Sequence, residues 1–277
     1  RAQRTLTFGP SADPGWWIDR TDLDEQLMTR VSIRNVWTSA RNIVLRSGNP
    51  HNYLRMVEHI IALRLGLGVD DVVISVNSGD PPLFERSSLD LVEAIELAGV
   101  AERDEPARYV TVKEPVTFGG ERGDFLTFLP PENGEKKLRL DCAIDFQSIV
   151  GKQRIVFDVT PQTFRHGAFA RTNASHAQML TVRLFGFLMA DTRNLGYTTE
   201  NILIHGKMKF YGEPRFVSGG KALEPAWHRA TLDLLAAIAL IDKGRFVGRV
   251  VSYRAGHTLD VRAIGLLYLN DLLQAVD

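Results

Sequence analysis

A glutamate and a histidine stand side by side at Glu58 and His59, in a segment whose apolar residues repeat every three or four positions. That spacing predicts a helix from about Asn52 to Leu65. Glu58 follows the apolar Leu54 by four positions, which places its carboxyl group near the buried face of the helix. Carboxylates are rarely buried without a partner. On its own, the pair is more typical of a helix edge with ordinary hydrogen bonds than of a catalytic site.

His228 and Asp233 lie on a second predicted helix, near Pro225 to Ile241, and they extend the chemistry that the first pair can support. If the two helices face each other, their histidines and carboxylates meet at one interface. Two imidazoles and a carboxylate are ligands that suit zinc, and three protein ligands leave one position open for water. Bound zinc can lower the pKa of that water to about 7, and a neighbouring glutamate can then accept its proton. The two helices together therefore predict a zinc-dependent hydrolytic site.

Two further side chains suit such a site, His257 and Thr172. His257 follows a predicted strand and precedes a predicted helix, a junction where active-site residues often lie. A histidine there can protonate a leaving amine, although a helix-capping or surface histidine is as common. The Thr172 hydroxyl can stabilise a tetrahedral oxyanion, which is a weak signal alone. The remaining histidines have no such spacing and are interpreted as ordinary polar residues: His51, His166, His176 and His205.

The charge balance gives no reason to expect a polyanionic partner. The chain has 33 Lys and Arg against 33 Asp and Glu, so nucleic acid and anionic membranes are not expected as its main partners. Cys142 is the only cysteine, which excludes an intramolecular disulfide, and its alternating run predicts a half-buried strand position. No apolar run reaches the roughly 20 residues of a membrane-spanning helix. The sequence can be a trimmed form of a longer chain. Its first residues lack the apolar core of a signal peptide, so we expect a cytoplasmic enzyme without stable membrane insertion.

The order helix, strand, helix occurs twice in the predicted elements. The first copy consists of the helix that ends at Leu65, a strand at Val72–Val76 and a second helix. This second helix follows Ser87 or Ser88 and ends at Gly99, with Val92, Ile95 and Leu97 partly inward. The second consists of the helix that carries His228, a strand at Phe246–Tyr253 and a helix from about Leu259 to Leu273. Short strands between the copies are predicted at Tyr109–Val112, Phe125–Phe128, Leu138–Ile144 and Arg154–Phe157.

The repeated order predicts an α+β fold of two similar domains, each a β-sheet packed with helices, with the metal site between them. A polar, unpatterned stretch from Ala101 to Pro106 is the predicted boundary. The first domain would comprise residues 1–104 and the second residues 105–277.

These residues, in this order, resemble the UDP-3-O-acyl-N-acetylglucosamine deacetylase family of lipid A synthesis. The most specific match runs from Met56 to Ala62 and on through Gly66 to Asp71, and it is similar to the family's T-V-E-H-L-x-A-A-L-x-G-L-G-I-D-N signature. Other segments match family motifs in colinear order: Ile18–Leu23, the I-D-F strand at Ile144–Phe146, A-R-T ending at Arg171 and Thr172, H-K at His228 and Arg229, and S-G-H at Ala255–His257.

The resemblance implies two α+β domains with zinc between them. It also implies hydrolysis of the 2-acetamido group of an acylated UDP-amino sugar, with release of acetate. The implied roles are zinc ligand for His59, His228 and Asp233, general base for Glu58, general acid for His257, oxyanion stabilisation for Thr172, and substrate binding for Arg229 in place of the family's lysine.

Two positions depart from the family pattern. The family spaces its His and Asp ligands four apart on one helix, whereas His228 and Asp233 are five apart and Leu232 occupies the family's ligand position. Four residues along an α-helix separate two side chains by about 40°, and five by about 140°. Asp233 therefore reaches the metal only if a one-residue π-bulge, a feature often found at functional sites, lies between it and His228. Ala237 stands where the family has an aspartate that orients the general acid.

Three hypotheses follow. The first is a zinc-dependent deacetylase that acts on a UDP-3-O-acyl-glucosamine or a related acylated amino sugar. The second is a related zinc amidase that acts on a different acylated amino sugar, which Arg229 would favour. The third is a non-catalytic paralogue that binds a nucleotide sugar or a partner protein, which the displaced Asp233 and the alanine at Ala237 would favour.

Overall fold

The computed structural model describes residues 3–25, 27–82, 84–185, 198 and 200–276. The α-helices in this part are α1 (Glu58–Gly66), α2 (Leu89–Ala98), α3 (Pro161–Ala168), α4 (His176–Phe185), α5 (Glu224–His228), α6 (Leu235–Ala239) and α7 (His257–Leu269). A π-helix, Arg229–Leu234, joins α5 to α6. Short 3₁₀-helices lie at Ile33–Asn35 and Glu132–Gly134.

The strands before the predicted boundary are β1 (Leu6–Pro10), β2 (Trp16–Arg20), β3 (Thr29–Arg30), β4 (Val36–Thr38), β5 (Val44–Arg46), β6 (Tyr53–Leu54) and β7 (Val72–Val76). The strands after it are β8 (Tyr109–Val112), β9 (Val116–Gly119), β10 (Phe125–Leu129), β11 (Leu138–Phe146), β12 (Gly151–Asp158), β13 (Thr172–Ser175), β14 (Ile202–His205), β15 (Val217–Ser218), β16 (Lys221–Ala222), β17 (Arg245–Phe246), β18 (Gly248–Tyr253) and β19 (Leu273–Val276).

The strands form several sheets, and the larger ones carry alternating buried and less buried side chains. The first part of the chain forms a sheet in the order β1-β7-β2-β3 and a small one in the order β4-β5-β6. The later part forms a five-stranded sheet, β12-β11-β18-β10-β9, and the sheet β17-β8-β19. Strand β13 pairs in parallel with β14, from Thr172 opposite Ile202 to Ser175 opposite His205. Strands β15 and β16 form a hairpin. Sheets packed with helices confirm the predicted α+β fold.

Helix α1 lies at the centre of the molecule, packed against α6 and the π-helix. Nearly all of its side chains are buried, and every residue of α6 is buried too. Helices buried on nearly every side are typical of a core position. Helix α3 also approaches α1 closely, because a Cβ atom at Gly66 would lie only 2.2 Å from Cγ of Phe164. The packing of α1 against the π-helix brings the two predicted site helices face to face.

The predicted start of the first helix was wrong. Helix α1 begins at Glu58 rather than near Asn52, because Tyr53 and Leu54 pair with β5 and Met56 has φ of 51°, which no α-helix accommodates. Leu54 is therefore not on the helix, and Glu58 is buried for a different reason, the packing around the first turn of α1. Pairing between distant segments overrode the local periodicity.

The predicted end of the last helix was also wrong. Helix α7 spans His257–Leu269, and the chain then turns through Asp271, with φ of 49°, into β19. Strand β19 pairs with β8, which the helical spacing of its leucines could not reveal. Two burial predictions also differed, since Leu97 is 91% exposed and Cys142 is fully rather than half buried.

Several sequence predictions agree closely with the structure. Strands β7 and β8 have the predicted bounds, and α2 follows Ser88 and ends at Gly99 as expected. No sheet in the described ranges contains strands from both sides of residue 105, although the domain boundary itself stays a prediction. None of the helices in the described ranges has the length and apolar character that crossing a bilayer requires.

Candidate functional site

The first turn of α1 presents Glu58 and His59 because the chain turns sharply just before it. Met56, with φ of 51°, makes this turn, an uncommon conformation for a residue other than glycine. The Glu58 side chain is buried, and its Oε2 atom accepts a hydrogen bond from the backbone N–H of Ile43 at 3.1 Å. The hydroxyl of Ser88, at the start of α2, donates to the carbonyl of His59 at 2.7 Å. These contacts hold the pair in one position.

The π-helix places Asp233 beside His228 despite their spacing of five residues. The N–H of Leu235 donates to the carbonyl of Ala230, the five-residue hydrogen bond that defines a π-turn. One extra residue per turn brings side chains five apart onto the same face. Oδ2 of Asp233 lies 3.6 Å from Nδ1 of His228. The bulge that the sequence required for convergence is therefore present.

Two imidazoles and one hydroxyl meet where α1, α5 and β13 come together. The Nε2 atoms of His59 and His228 are 3.4 Å apart. Oγ1 of Thr172 lies 3.3 Å from Nε2 of His59 and 3.0 Å from Nε2 of His228. A buried ion pair positions this threonine, since both the backbone N–H and the Nε of Arg171 donate to the fully buried Glu224, at 2.9 and 2.8 Å.

His257 enters the same cluster from the first turn of α7. Gly256 precedes it in an extended conformation and ends the segment that leads from β18. Nε2 of His257 lies 3.7 Å from Oδ1 of Asp233 and 3.9 Å from Oε1 of Glu58. The structure thus brings together all the predicted catalytic and metal-binding side chains.

Burial and neighbouring charges set the protonation of the cluster. Burial, reinforced by the nearby His228, lowers the pKa of His59 to about 3, so its imidazole is neutral at ordinary pH. Burial raises the pKa of Glu58, although the neighbouring His257 acts in the opposite direction. Burial also opposes ionisation of Asp233, but attraction to His228 and His257 outweighs it and lowers the pKa of Asp233. The carboxyl group of Glu58 is therefore suited to accept a proton, and that of Asp233 is suited to stay ionised.

Arg229 lies beside the cluster with its guanidinium turned into the protein. The side chain is 8% exposed, its Nε donates to the carbonyl of Ala255 at 2.9 Å, and its Nη2 donates to Oδ1 of Asp260 at 2.7 Å. Asp260 is fully buried, and burial raises its pKa even though Arg229 opposes that shift. The substrate contact expected for Arg229 stays a prediction.

Sequence reasoning missed two buried acids near the site, Asp260 and Glu224. A signal existed for the first, because Asp260 follows His257 by three positions and so lies on the same side of α7. For Glu224, the spacing of four residues before His228 was the available signal. Both acids pair with an arginine that adjoins a predicted site residue, Arg229 and Arg171.

The donor atoms suit a zinc ion in type and, for the imidazoles, in spacing. Two nitrogens bound to one tetrahedral zinc at about 2.0–2.1 Å lie roughly 3.3 Å apart, close to the 3.4 Å between Nε2 of His59 and Nε2 of His228. Asp233 supplies an ionised carboxylate next to this pair. No group of three or more His, Cys, Asp or Glu side chains in the described part of the chain is yet arranged around one point.

Comparisons with known proteins identify the family to which the chain belongs. The sequence model of the LpxC family, described as UDP-3-O-acyl N-acetylglycosamine deacetylase, matches residues 1–268. A UDP-3-O-acyl-N-acetylglucosamine deacetylase from Bdellovibrio bacteriovorus is 30% identical over 264 residues, which cover 91% of this chain and 79% of that protein. Proteins with the same name from Brucella ovis and Brucella canis are each 26% identical over 265 residues, which cover 92% of this chain and 84% of theirs. This chain therefore belongs to the LpxC family of UDP-3-O-acyl N-acetylglycosamine deacetylases.

Proposed function

We propose that this protein is a zinc-dependent hydrolase that removes the N-acetyl group of UDP-3-O-acyl-N-acetylglucosamine in lipid A synthesis. The observation that carries the proposal is the convergence of six side chains from four separate parts of the fold. They are Glu58, His59, Thr172, His228, Asp233 and His257. Family membership and the printed names of the relatives support the same substrate.

His59, His228 and Asp233 would hold the metal. A bound zinc would polarise the amide carbonyl and lower the pKa of a water molecule towards neutrality. The low pKa of His59 favours this role, because a metal ligand must present an unprotonated nitrogen. Asp233, whose pKa is lowered despite its burial, contributes a negative charge next to the two imidazoles.

Glu58 would act as the general base. Its Oε2 is fixed by the Ile43 N–H at 3.1 Å, and its Oε1 faces His257. A raised pKa makes this carboxylate a stronger proton acceptor than an exposed glutamate. The proton that it takes from water would then leave with the products.

His257 would donate a proton to the nitrogen of the scissile amide, and Thr172 would stabilise the oxyanion. Nε2 of His257 lies within 4 Å of carboxylate oxygens of both Asp233 and Glu58, at 3.7 and 3.9 Å, which places the ring at the centre of the cluster. The Thr172 hydroxyl lies at the meeting point of the imidazoles, where charge on the carbonyl oxygen would develop.

The test combines metal content with acetate release. We expect about one zinc per chain by elemental mass spectrometry, removal of that zinc by a chelator, and loss of hydrolysis with it. His59→Ala should lower metal content at least tenfold and abolish acetate release. His176→Ala is the matched control, because the ring of this histidine stacks on Tyr211, and the substitution should leave both quantities unchanged. Full metal content in His59→Ala would contradict the assignment.

One observation favours a related amidase with a different acylated amino sugar. The cation at Arg229 is buried and paired with Asp260, so the position of the family's lysine offers no exposed positive charge. A substrate that lacks a negative group at that point would then be preferred. Comparison of kcat/KM for UDP-3-O-acyl-N-acetylglucosamine and for the same acylated amino sugar without UDP decides between the two substrates.

A further inference from the structure

Arg229 contacts the chain on both sides of His257. Its Nε donates to the carbonyl of Ala255, two residues before the histidine, at 2.9 Å. Its Nη2 donates to Asp260, three residues after the histidine and on the first turn of α7, at 2.7 Å. One guanidinium on the π-helix therefore spans the segment that carries His257.

The same arginine adjoins the residues that His257 faces. Arg229 follows His228 directly, and the π-helix that begins with it also carries Asp233, whose Oδ1 lies 3.7 Å from Nε2 of His257. A shift of α7 relative to the π-helix would change that distance. The planar, forked guanidinium holds two acceptors in fixed directions, which a lysine ammonium on a flexible stem does not.

His257 has little else to fix its orientation. Its Nδ1 atom is buried without a hydrogen-bond partner within the described ranges. Arg229 and Asp260 hold the chain on either side of His257, and these contacts place its ring.

We propose that Arg229 and Asp260 are positioning residues that hold His257 against Glu58 and Asp233, and that Arg229 has this role in place of a substrate contact. A fully buried acid and a buried arginine are maintained only in a paired arrangement. This inference rests on the proposed function for its kinetic test, and a chemical test does not need that function.

The kinetic test uses two conservative variants, Arg229→Lys and Asp260→Asn, which keep a hydrogen-bonding group at each position. Loss of a hydrogen bond that orients an active-site residue from behind typically lowers activity about 10–100-fold. We expect kcat for acetate release from UDP-3-O-acyl-N-acetylglucosamine to fall by about that factor in both variants, with KM changed less than about threefold and zinc content unchanged. If Arg229 contacts the substrate, as the family's lysine is implied to do, Arg229→Lys should keep both kcat and KM near wild type, and that result would overturn the inference.

A double-mutant cycle separates positioning from general structural damage. In a His257→Ala background, Arg229→Lys should lower residual activity less than about twofold, because the group that it positions is gone. An undiminished loss in that background would also overturn the inference. Arg245→Lys is the matched control, since Arg245 likewise bonds a carbonyl, that of Gly68, and a carboxylate, Asp70, beyond the far end of α1. It should leave kcat unchanged.

The chemical test is the rate at which diethyl pyrocarbonate modifies His257, read by peptide mass spectrometry on the folded, zinc-loaded protein. A ring released from its position becomes more accessible, so we expect at least a threefold faster rate in Arg229→Lys and Asp260→Asn and no change in Arg245→Lys. Unchanged rates in both variants would refute positioning even if hydrolysis is confirmed. Faster rates without hydrolysis in the wild type would support positioning while refuting the proposed function.

Discussion

At the scale of single residues, the site separates two carboxyl groups by their surroundings. Glu58 has its pKa raised by burial, whereas the histidines around Asp233 outweigh burial and lower the pKa of that side chain. Pairs of acids whose environments shift their pKa values apart are typical of sites that use one acid as base and another as fixed charge. The assignment of base and ligand thus follows from where each side chain lies.

Substitution of Glu58 by glutamine tests the general base. Glutamine keeps the size and the acceptor for the Ile43 N–H but cannot take a proton. We expect kcat to fall by about 10²–10⁴-fold with zinc content and fold unchanged. The control is Glu135→Gln at an exposed surface pair with Lys137, which should leave kcat unchanged. Wild-type kcat in Glu58→Gln would show that another group accepts the proton.

At the scale of elements, the π-helix decides whether the site can form. His228 and Asp233 would point about 140° apart in a regular α-helix, yet they lie 3.6 Å apart here. Leu232, at the four-residue position, is fully buried in the core instead. Helix α6 continues after the bulge with every residue buried.

A deletion and a swap test the bulge. Deleting Leu232 brings Asp233 to four residues after His228, where a regular α-helix aligns the two side chains, so we expect zinc binding to be retained. The double substitution Leu232→Asp with Asp233→Leu creates the same spacing without shortening the helix. In this double variant the carboxylate at position 232 faces the apolar core. We therefore expect loss of zinc and a lower free energy of unfolding. Metal content of the two proteins is the measurement, and equal loss in both would contradict the role of the bulge.

A second element-scale prediction concerns β11 and its two neighbours. Asp141 on β11 accepts from Arg154 on β12 at 2.7 Å and from Arg249 on β18 at 2.6 Å. The hydrogen bond from Arg154 lowers the pKa of Asp141, with burial opposing and Arg249 reinforcing the shift. A carboxylate with a lowered folded-state pKa stabilises the protein above its unfolded pKa, 3.8, and loses that contribution as pH falls through the folded value.

We therefore expect Asp141→Asn to lower the free energy of unfolding at pH 7 by about 1–2 kcal/mol. The difference from wild type should shrink as the pH falls below about 4, as measured by urea unfolding at several pH values. Asp158→Asn, which removes an exposed pair with Arg139 at 3.6 Å, is the control and should change stability by less than about 0.5 kcal/mol. A difference that stays constant with pH would exclude the ion pairs as its cause.

At the scale of the whole molecule, the site depends on contact between the first and last thirds of the chain. Arg64 of α1 donates from Nη1 to the carbonyls of Ala239 at 2.6 Å and Ile241 at 2.8 Å, at the end of α6. This buried arginine thereby satisfies carbonyls that a helix end leaves free. The contact holds the helix with Glu58 and His59 against the helix that follows Asp233.

Arg64→Leu should therefore destabilise the whole fold. Loss of the charged donor leaves the buried carbonyls at the end of α6 unsatisfied, and we expect the free energy of unfolding to fall by about 2–4 kcal/mol. Arg262→Leu, at an exposed position of α7, should change it by less than about 0.5 kcal/mol. Chemical denaturation of both variants is the measurement, and wild-type stability in Arg64→Leu would show that the helices hold together without this contact.

The sequence alone determined the residue types of the site, the α+β fold class and the family resemblance. These features depend on local spacing and on the order of residues along the chain. Strand β7 was predicted with its observed bounds, since a short run of β-branched residues between turn signals is a local pattern. The need for a bulge before Asp233 was also readable from spacing. Only the tertiary structure decided that α1 begins at Glu58, that β19 follows α7, and that Asp260 binds Arg229. These features depend on pairing and burial between segments far apart in sequence, which no local pattern records.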